Sequence, residues 1–212
     1  MKKIVIVVAS LVLPNIIWGA CAPDKMLRVV FRDATPGLDA NSFAAKPKTL
    51  YRLGNRLGRV EEAPDPDHGI HGLIVVSEPD SWIVNLATKT GQHVVDSGAP
   101  YEFHAPILGG SRASDFLKSF EFGCEIAFMK DRAITPTPVQ VETRKLASYR
   151  VSEGNQTIFL AVDVTLQKPV VAALYENGKV VTYLKYLSYD SDLAPDPSLF
   201  KPPSGVTLSE AK

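Results

Sequence analysis

Apolar positions in this chain recur mostly with a period of two. Leu27, Val29 and Phe31 alternate with Arg28 and Arg32 over Met26 to Arg32, which predicts a half-buried strand. Leu50 to Glu61 predicts two short strands about Gly54-Asn55. Ile70 to Val76 predicts an apolar strand, and Trp82, Val84 and Leu86 share a face before Gln92 to Val95 returns as a hairpin. Val139 to Thr143 alternates and changes phase before Tyr149 and Val151, which predicts a bulge or bend. Ile158 to Val164 alternates again.

Helical spacing is rarer. Phe116, Leu117 and Phe120 predict one short helix from about Ser111 to Phe120, with Ser111 or Ser114 as cap and Gly123 closing it. Cys124 to Lys130, with Ile126 and Phe128 in phase, predicts a strand.

The clearest local signal is Asn177-Gly178 between Val170–Glu176 and Lys179–Tyr189. Asn-Gly supplies the positive φ values of a type I′ turn and sets Glu176 opposite Lys179. That register places Val170, Ala172 and Leu174 with Val181 and Tyr183, and Val171, Ala173 and Tyr175 with Val180, Leu184 and Tyr186. Both faces are apolar, so the sheet must be covered on both sides or line a cavity. The predicted fold is mainly β: a strongly curved antiparallel sheet, an incomplete barrel of about 9–11 strands, with few short helices on its concave face.

The N-terminus reads differently. Met1-Lys2-Lys3 precedes the apolar run Ile4 to Leu13, then Pro14 and small residues at Gly19, Ala20 and Ala22. This is the order of a secretory signal peptide, so residues 1–20 are expected to be cleaved and 21–212 to form one β domain. The run is short for a bilayer span, and no transmembrane segment is expected in the mature chain.

Charge changes accordingly. The 212-residue chain has 23 Lys+Arg and 23 Asp+Glu. Losing Lys2 and Lys3 leaves the mature chain mildly acidic, which gives no bulk attraction to nucleic acid. The Arg at 52, 56 and 59 face Glu61, Glu62 and Asp65 and read as a solvated, self-neutralised strand pair.

Two cysteines exclude a disulfide-dense scaffold and a four-thiolate zinc site. In an oxidising compartment Cys21 and Cys124 are expected to bridge. Alternatively, Trp18-Gly19-Ala20-Cys21 is a lipoprotein processing site and Cys21 carries lipid, or the two thiols are unrelated.

Candidate chemistry is sparse. No nucleophile elbow, phosphate loop or dinucleotide fingerprint is present, and no catalytic residue, metal ligand or cofactor is assigned. Gly109-Gly110-Ser111 reads as a turn. His68 and His71 are three apart, which in a strand points them to opposite faces; metal-binding or hydrolytic use of them is a lower-ranked reading. The remaining signal is aromatic. Trp82, Phe116, Phe120, Phe128, Tyr149, Phe159, Tyr175 and Tyr183 are candidates to line an apolar ligand cavity.

The segment Pro169 to Tyr183, then Tyr186 to Tyr189, then Asp196-Pro197-Ser198-Leu199-Phe200 and Pro203 to Val206 resembles the end of lipoprotein-localisation-factor (LolA-like) proteins. The resemblance covers about 45 residues and implies a curved incomplete barrel whose members bind acyl chains or envelope lipoproteins. It implies a periplasmic, non-catalytic protein with a lipid or acylated-protein ligand. The alternative is an envelope protein–protein interaction module whose cavity is filled by its own side chains. The chain departs from the resemblance at Met26 to Arg32, a strand where such carriers begin with an amphipathic helix.

Overall fold

The computed structural model describes residues 21–99, 102–108, 114–141 and 143–210. The signal-peptide segment and Gly109-Gly110-Ser111 therefore lie outside the described residues.

The strands are β1 (Met26–Asp33), β2 (Lys48–Leu53), β3 (Leu57–Glu62), β4 (Gly72–Ser77), β5 (Asp80–Asn85), β6 (Thr90–Val95), β7 (Thr137–Val141), β8 (Arg144–Glu153), β9 (Gln156–Asp163), β10 (Lys168–Glu176), β11 (Lys179–Leu193) and β12 (Thr207–Glu210). Two helices, α1 (Asp115–Lys118) and α2 (Glu125–Asp131), lie in the β6–β7 connection.

All twelve strands form one sheet in the order β12-β6-β5-β4-β3-β2-β1-β11-β10-β9-β8-β7. Two meanders, β1–β6 and β7–β11, are joined by the long antiparallel β1–β11 pair. β12 adds parallel to β6 at one edge. The sheet is curved, not closed into a barrel, and carries few helices.

Turn chemistry explains the hairpins. Asn177 and Gly178 both have positive φ, 50° and 77°, and Glu176 faces Lys179. Gly54, at φ 62°, turns β2 into β3.

Several expectations are corrected. The strand predicted over Cys124 to Lys130 is helix α2. Its buried residues, Glu125, Phe128 and Met129, repeat at helical spacing, and Ile126 with Phe128 is too short a match to define a strand. Of the predicted Ser111–Phe120 helix, whose first three residues lie outside the described residues, Asp115–Lys118 is helix, capped by the Ser114 hydroxyl accepting from Leu117 N. Gly123 lies in a turn between the helices rather than ending α1. The phase change near residue 143 is a hairpin between β7 and β8.

The β10–β11 register also differs. A bulge beyond Leu174 shifts β11 by one residue, so Ala172 faces Leu184 and Ala173 faces Tyr183. A one-residue shift exchanges the faces of all the residues beyond it. Leu184 therefore joins Ala172 and Leu174, and Tyr183 joins Ala173.

Each face of the sheet has a core. The inner face buries Leu27, Val29, Leu50, Leu160, Leu174 and Leu184 against α1, α2 and their flanks. The outer face of the first meander buries Met26, Leu73, Val75 and Val84 around Phe200. Asp196 accepts from Ser198 N and so starts the 3-10 turn Pro197–Phe200 that delivers Phe200 there. The Asp196–Phe200 segment thus closes the second core, and β12 follows it.

Candidate functional site

The inner face is where the resemblance places a ligand. Here the β6–β7 connection fills it. Phe116, Leu117, Phe120, Phe122, Phe128 and Met129 are all buried against the sheet. Phe120 and Phe116 pack on Phe128 with centroids 5.0 and 5.9 Å apart, and Phe122 packs on Phe31 at 4.6 Å.

Covalent and polar contacts lock this plug. Cys21 and Cys124 form a disulfide, which ties the start of the described chain to the start of α2. Arg52 extends inward from β2 and is 0% exposed. It donates to the carbonyls of Phe122 (3.0 Å), Cys21 (2.9 Å) and Phe103 (3.4 Å). Glu121 lies 2.7 Å from its guanidinium. Glu121 also meets His104 Nδ1 at 2.6 Å and accepts from Ala105 N.

A second buried carboxylate sits at the start of α2. Glu125 is 1% exposed and accepts from Tyr186 and Tyr189 hydroxyls at 3.0 and 3.1 Å, and from Gly123 N. Burial raises its pKa to about 7, while those donors act in the opposite direction. Both tyrosines are pushed up, first by burial and then by the Glu125 charge.

The eight aromatic candidates do not line one cavity. Phe116, Phe120, Phe128 and Tyr149 belong to the inner core. Trp82 lies on the outer face, at the margin of the Phe200 core, stacked on His93 at 5.2 Å. Phe159, Tyr175 and Tyr183 lie on the outer face of the second meander, with Phe159 and Tyr183 both opposite Ala173. The bulge in β11 places Tyr183 there.

The histidines are dispersed. His68 meets Asp65 and His71 meets Glu61, each at 3.0 Å. Among the described residues no three His, Cys, Asp or Glu side chains are grouped to hold a metal ion. His71 and Glu61 border a shallow depression of about 280 Å³ with Pro47, Thr49, Glu62 and Pro64. Burial raises the Glu61 pKa, but Arg59 and His71 outweigh it and hold the carboxyl below its usual range. Its mixed, charged lining does not suit an acyl chain.

Arg52, Glu121 and Glu125 are the residues that sequence reading missed. The Arg52–Arg59 cluster is not uniformly solvated: Arg56 is exposed, but Arg52 is wholly buried. One signal was available. Arg52 is two residues from Leu50 in β2 and so shares its inward face.

No family model matches the sequence, and no curated protein matches it. An uncharacterised conserved protein from Thermus thermophilus superposes with a TM-score of 0.49 at 14% identity, covering 89% of this chain and 91% of that one. MucB superposes at 0.46 and 10% identity over 86% of this chain, which spans 59% of MucB. MucB in complex with MucA(peri) gives 0.45 at 10% identity, with 86% of this chain and 56% of that one covered. None of these overlaps bears on activity.

Proposed function

We propose that this is an exported, non-catalytic interaction module of the bacterial envelope whose curved sheet is filled by its own plug. One observation carries the reading. The face that would hold an acyl chain is occupied by Phe116, Phe120, Phe122 and Phe128, and the plug is tied down by the Cys21–Cys124 bridge. A structural disulfide and the basic–apolar–small order of residues 1–20 both support export.

Organic extraction and mass spectrometry of the purified protein test this, together with titration by a fluorescent fatty acid. The expected result is no stoichiometric lipid and no saturable binding. Copurification of one acyl chain per molecule would overturn it.

One observation favours a second reading, acyl binding beside the plug. Val29, Leu50, Val60, Ile74 and Ile83 form one row across β1–β5 on the inner face. Val29 and Leu50 are buried, but Ile74 and Ile83 are 45% and 53% exposed. Fatty-acid binding abolished by Ile83→Lys would favour this reading.

A further inference from the structure

The outer face of the second meander carries a pattern that the plug leaves unexplained. Arg150, Phe159, Ala173 and Tyr183 are direct partners in one row across β8, β9, β10 and β11. The next row on that face runs from Ala161 through Val171 and Lys185 to Arg32 of β1. Ala173 and Ala161 are 0% and 4% exposed, and Phe159, Tyr175 and Tyr183 rise around them half-buried. The result is a low apolar floor with aromatic sides.

Its ends are cationic. The Arg150 guanidinium lies over Phe159 and Tyr175, 4.9 and 5.5 Å from the ring centroids. Lys185 and Arg32 are directly paired and exposed at the other end. Like charges opposite one another on neighbouring strands oppose pairing. None of these three cations is in an ion pair with a carboxylate among the described residues, in a chain whose formal charge is balanced. The hydroxyls of Tyr175 and Tyr183 make no hydrogen bond among the described residues either.

We infer that this furrow docks an extended acidic peptide segment that places two carboxylates on either side of an apolar residue. The inference rests on the interaction-module reading and names the surface and partner chemistry for it. Three strand spacings and one row of offset put the Arg150 Cα about 16 Å from that of Lys185 and, one strand further, about 20 Å from that of Arg32, gaps that the long cationic side chains shorten. Side chains four residues apart on an extended peptide are separated by about 13 Å and point the same way, with the central one between them. Two carboxylates then meet the two cationic ends, and the central side chain meets Phe159 and Tyr183. A membrane surface fits less well: beside the exposed Lys185 and Arg32 the rings of Phe159, Tyr175 and Tyr183 are half-buried, and the exposed large apolar side chains of β11 are Val181 and Leu187, six residues apart rather than in one patch.

The test uses the purified disulfide-bonded protein and a fluorescein-labelled peptide, Gly-Glu-Ser-Phe-Ser-Glu-Gly, followed by anisotropy. Saturable binding is expected, weakened at least tenfold by Arg150→Gln with Lys185→Gln, by raised salt, and by replacing both peptide glutamates with glutamine. Val95→Ser, at the end of β6 in the other meander, is expected to leave binding unchanged. Near-UV circular dichroism and the urea midpoint verify that each variant is folded; single Arg150→Gln and Lys185→Gln variants serve if the double one is not. Absence of saturable binding would overturn the inference. Binding indifferent to the outer-face variants would overturn this surface while leaving the interaction reading intact. Arg150-dependent binding to phosphatidylglycerol vesicles, with none to the peptide, would replace the peptide with a lipid surface. The lipid-extraction result bears separately on the interaction reading.

Discussion

Arg52 and Glu121 meet at 2.7 Å with side chains 0% and 4% exposed, and they join the sheet to the plug. Both side chains are buried: Arg52 has Glu121 and the carbonyls of Phe122, Cys21 and Phe103 as partners, and Glu121 has Arg52, His104 and Ala105 N. Removing one partner of a buried pair strands the remaining charge, at a cost of about 3–5 kcal/mol. Arg52→Met is therefore expected to lower the unfolding free energy by that amount, read from urea denaturation. Arg52→Met combined with Glu121→Gln is expected to recover part of the loss, because no buried charge is left behind.

The bridge between Cys21 and Cys124 closes a sequence separation of 103 residues. A loop of that length contributes about 4–5 kcal/mol in the chain-entropy description. Cys124→Ser is expected to shift the urea midpoint down accordingly. The same shift is expected for the unsubstituted protein in reductant, and reductant is expected to have no further effect on the variant. Hydrogen exchange is expected to rise first in α2, which the bridge anchors.

Glu125 makes stability depend on pH in the direction opposite to an ordinary ion-paired carboxylate. Its folded pKa is raised to about 7 from 4.5, chiefly by burial. The folded state then binds more protons than the unfolded state between those values, so stability falls as pH rises from 4.5 to 7 and levels off above. The full effect is about 3 kcal/mol. Glu125→Gln is expected to remove this slope, measured as the difference between variant and parent urea midpoints across that window. An unchanged slope would mean that Glu125 is solvated.

Gly58 lets Phe103 lie on the inner face of β3. A Cβ at Gly58 would come within 2.3 Å of the Phe103 ring. Gly58→Ala is expected to displace that ring and cost about 1–3 kcal/mol in thermal or urea unfolding. The Phe103 carbonyl accepts from Arg52, so the displacement reaches the buried pair as well. In a Phe103→Ala background the same glycine substitution is expected to cost much less.

Much of the strand pattern was legible because it is local. Leu27, Val29 and Phe31 alternate in sequence and do face the inner core, and Asn177-Gly178 adopts the two positive φ values its residues favour. The Cys21–Cys124 pairing was one of the alternatives that residue count and compartment left open; the fold brings their Cα atoms to 5.9 Å. The aromatic candidates were harder to read. Residue type marked Phe159, Tyr175 and Tyr183 as apolar but did not assign them a side of the sheet.

The sequence by itself determined most of the strands, the Asn177-Gly178 turn, and that the sheet has more apolar surface than one core needs. Those properties follow from backbone preferences and from short-period alternation. Only the tertiary structure decided that the β6–β7 connection becomes the inner core's own filling, that Cys124 to Lys130 is helix, and that Arg52, Glu121 and Glu125 are buried. Each of these depends on a partner distant in the chain. An arginine is buried only where a carboxylate and several carbonyls converge on it, and a bulge beyond Leu174 moves Tyr183 to the outer face. Alternation along a strand indicates that two sets of side chains oppose each other. Which set is covered, and by what, depends on the packing that surrounds the sheet.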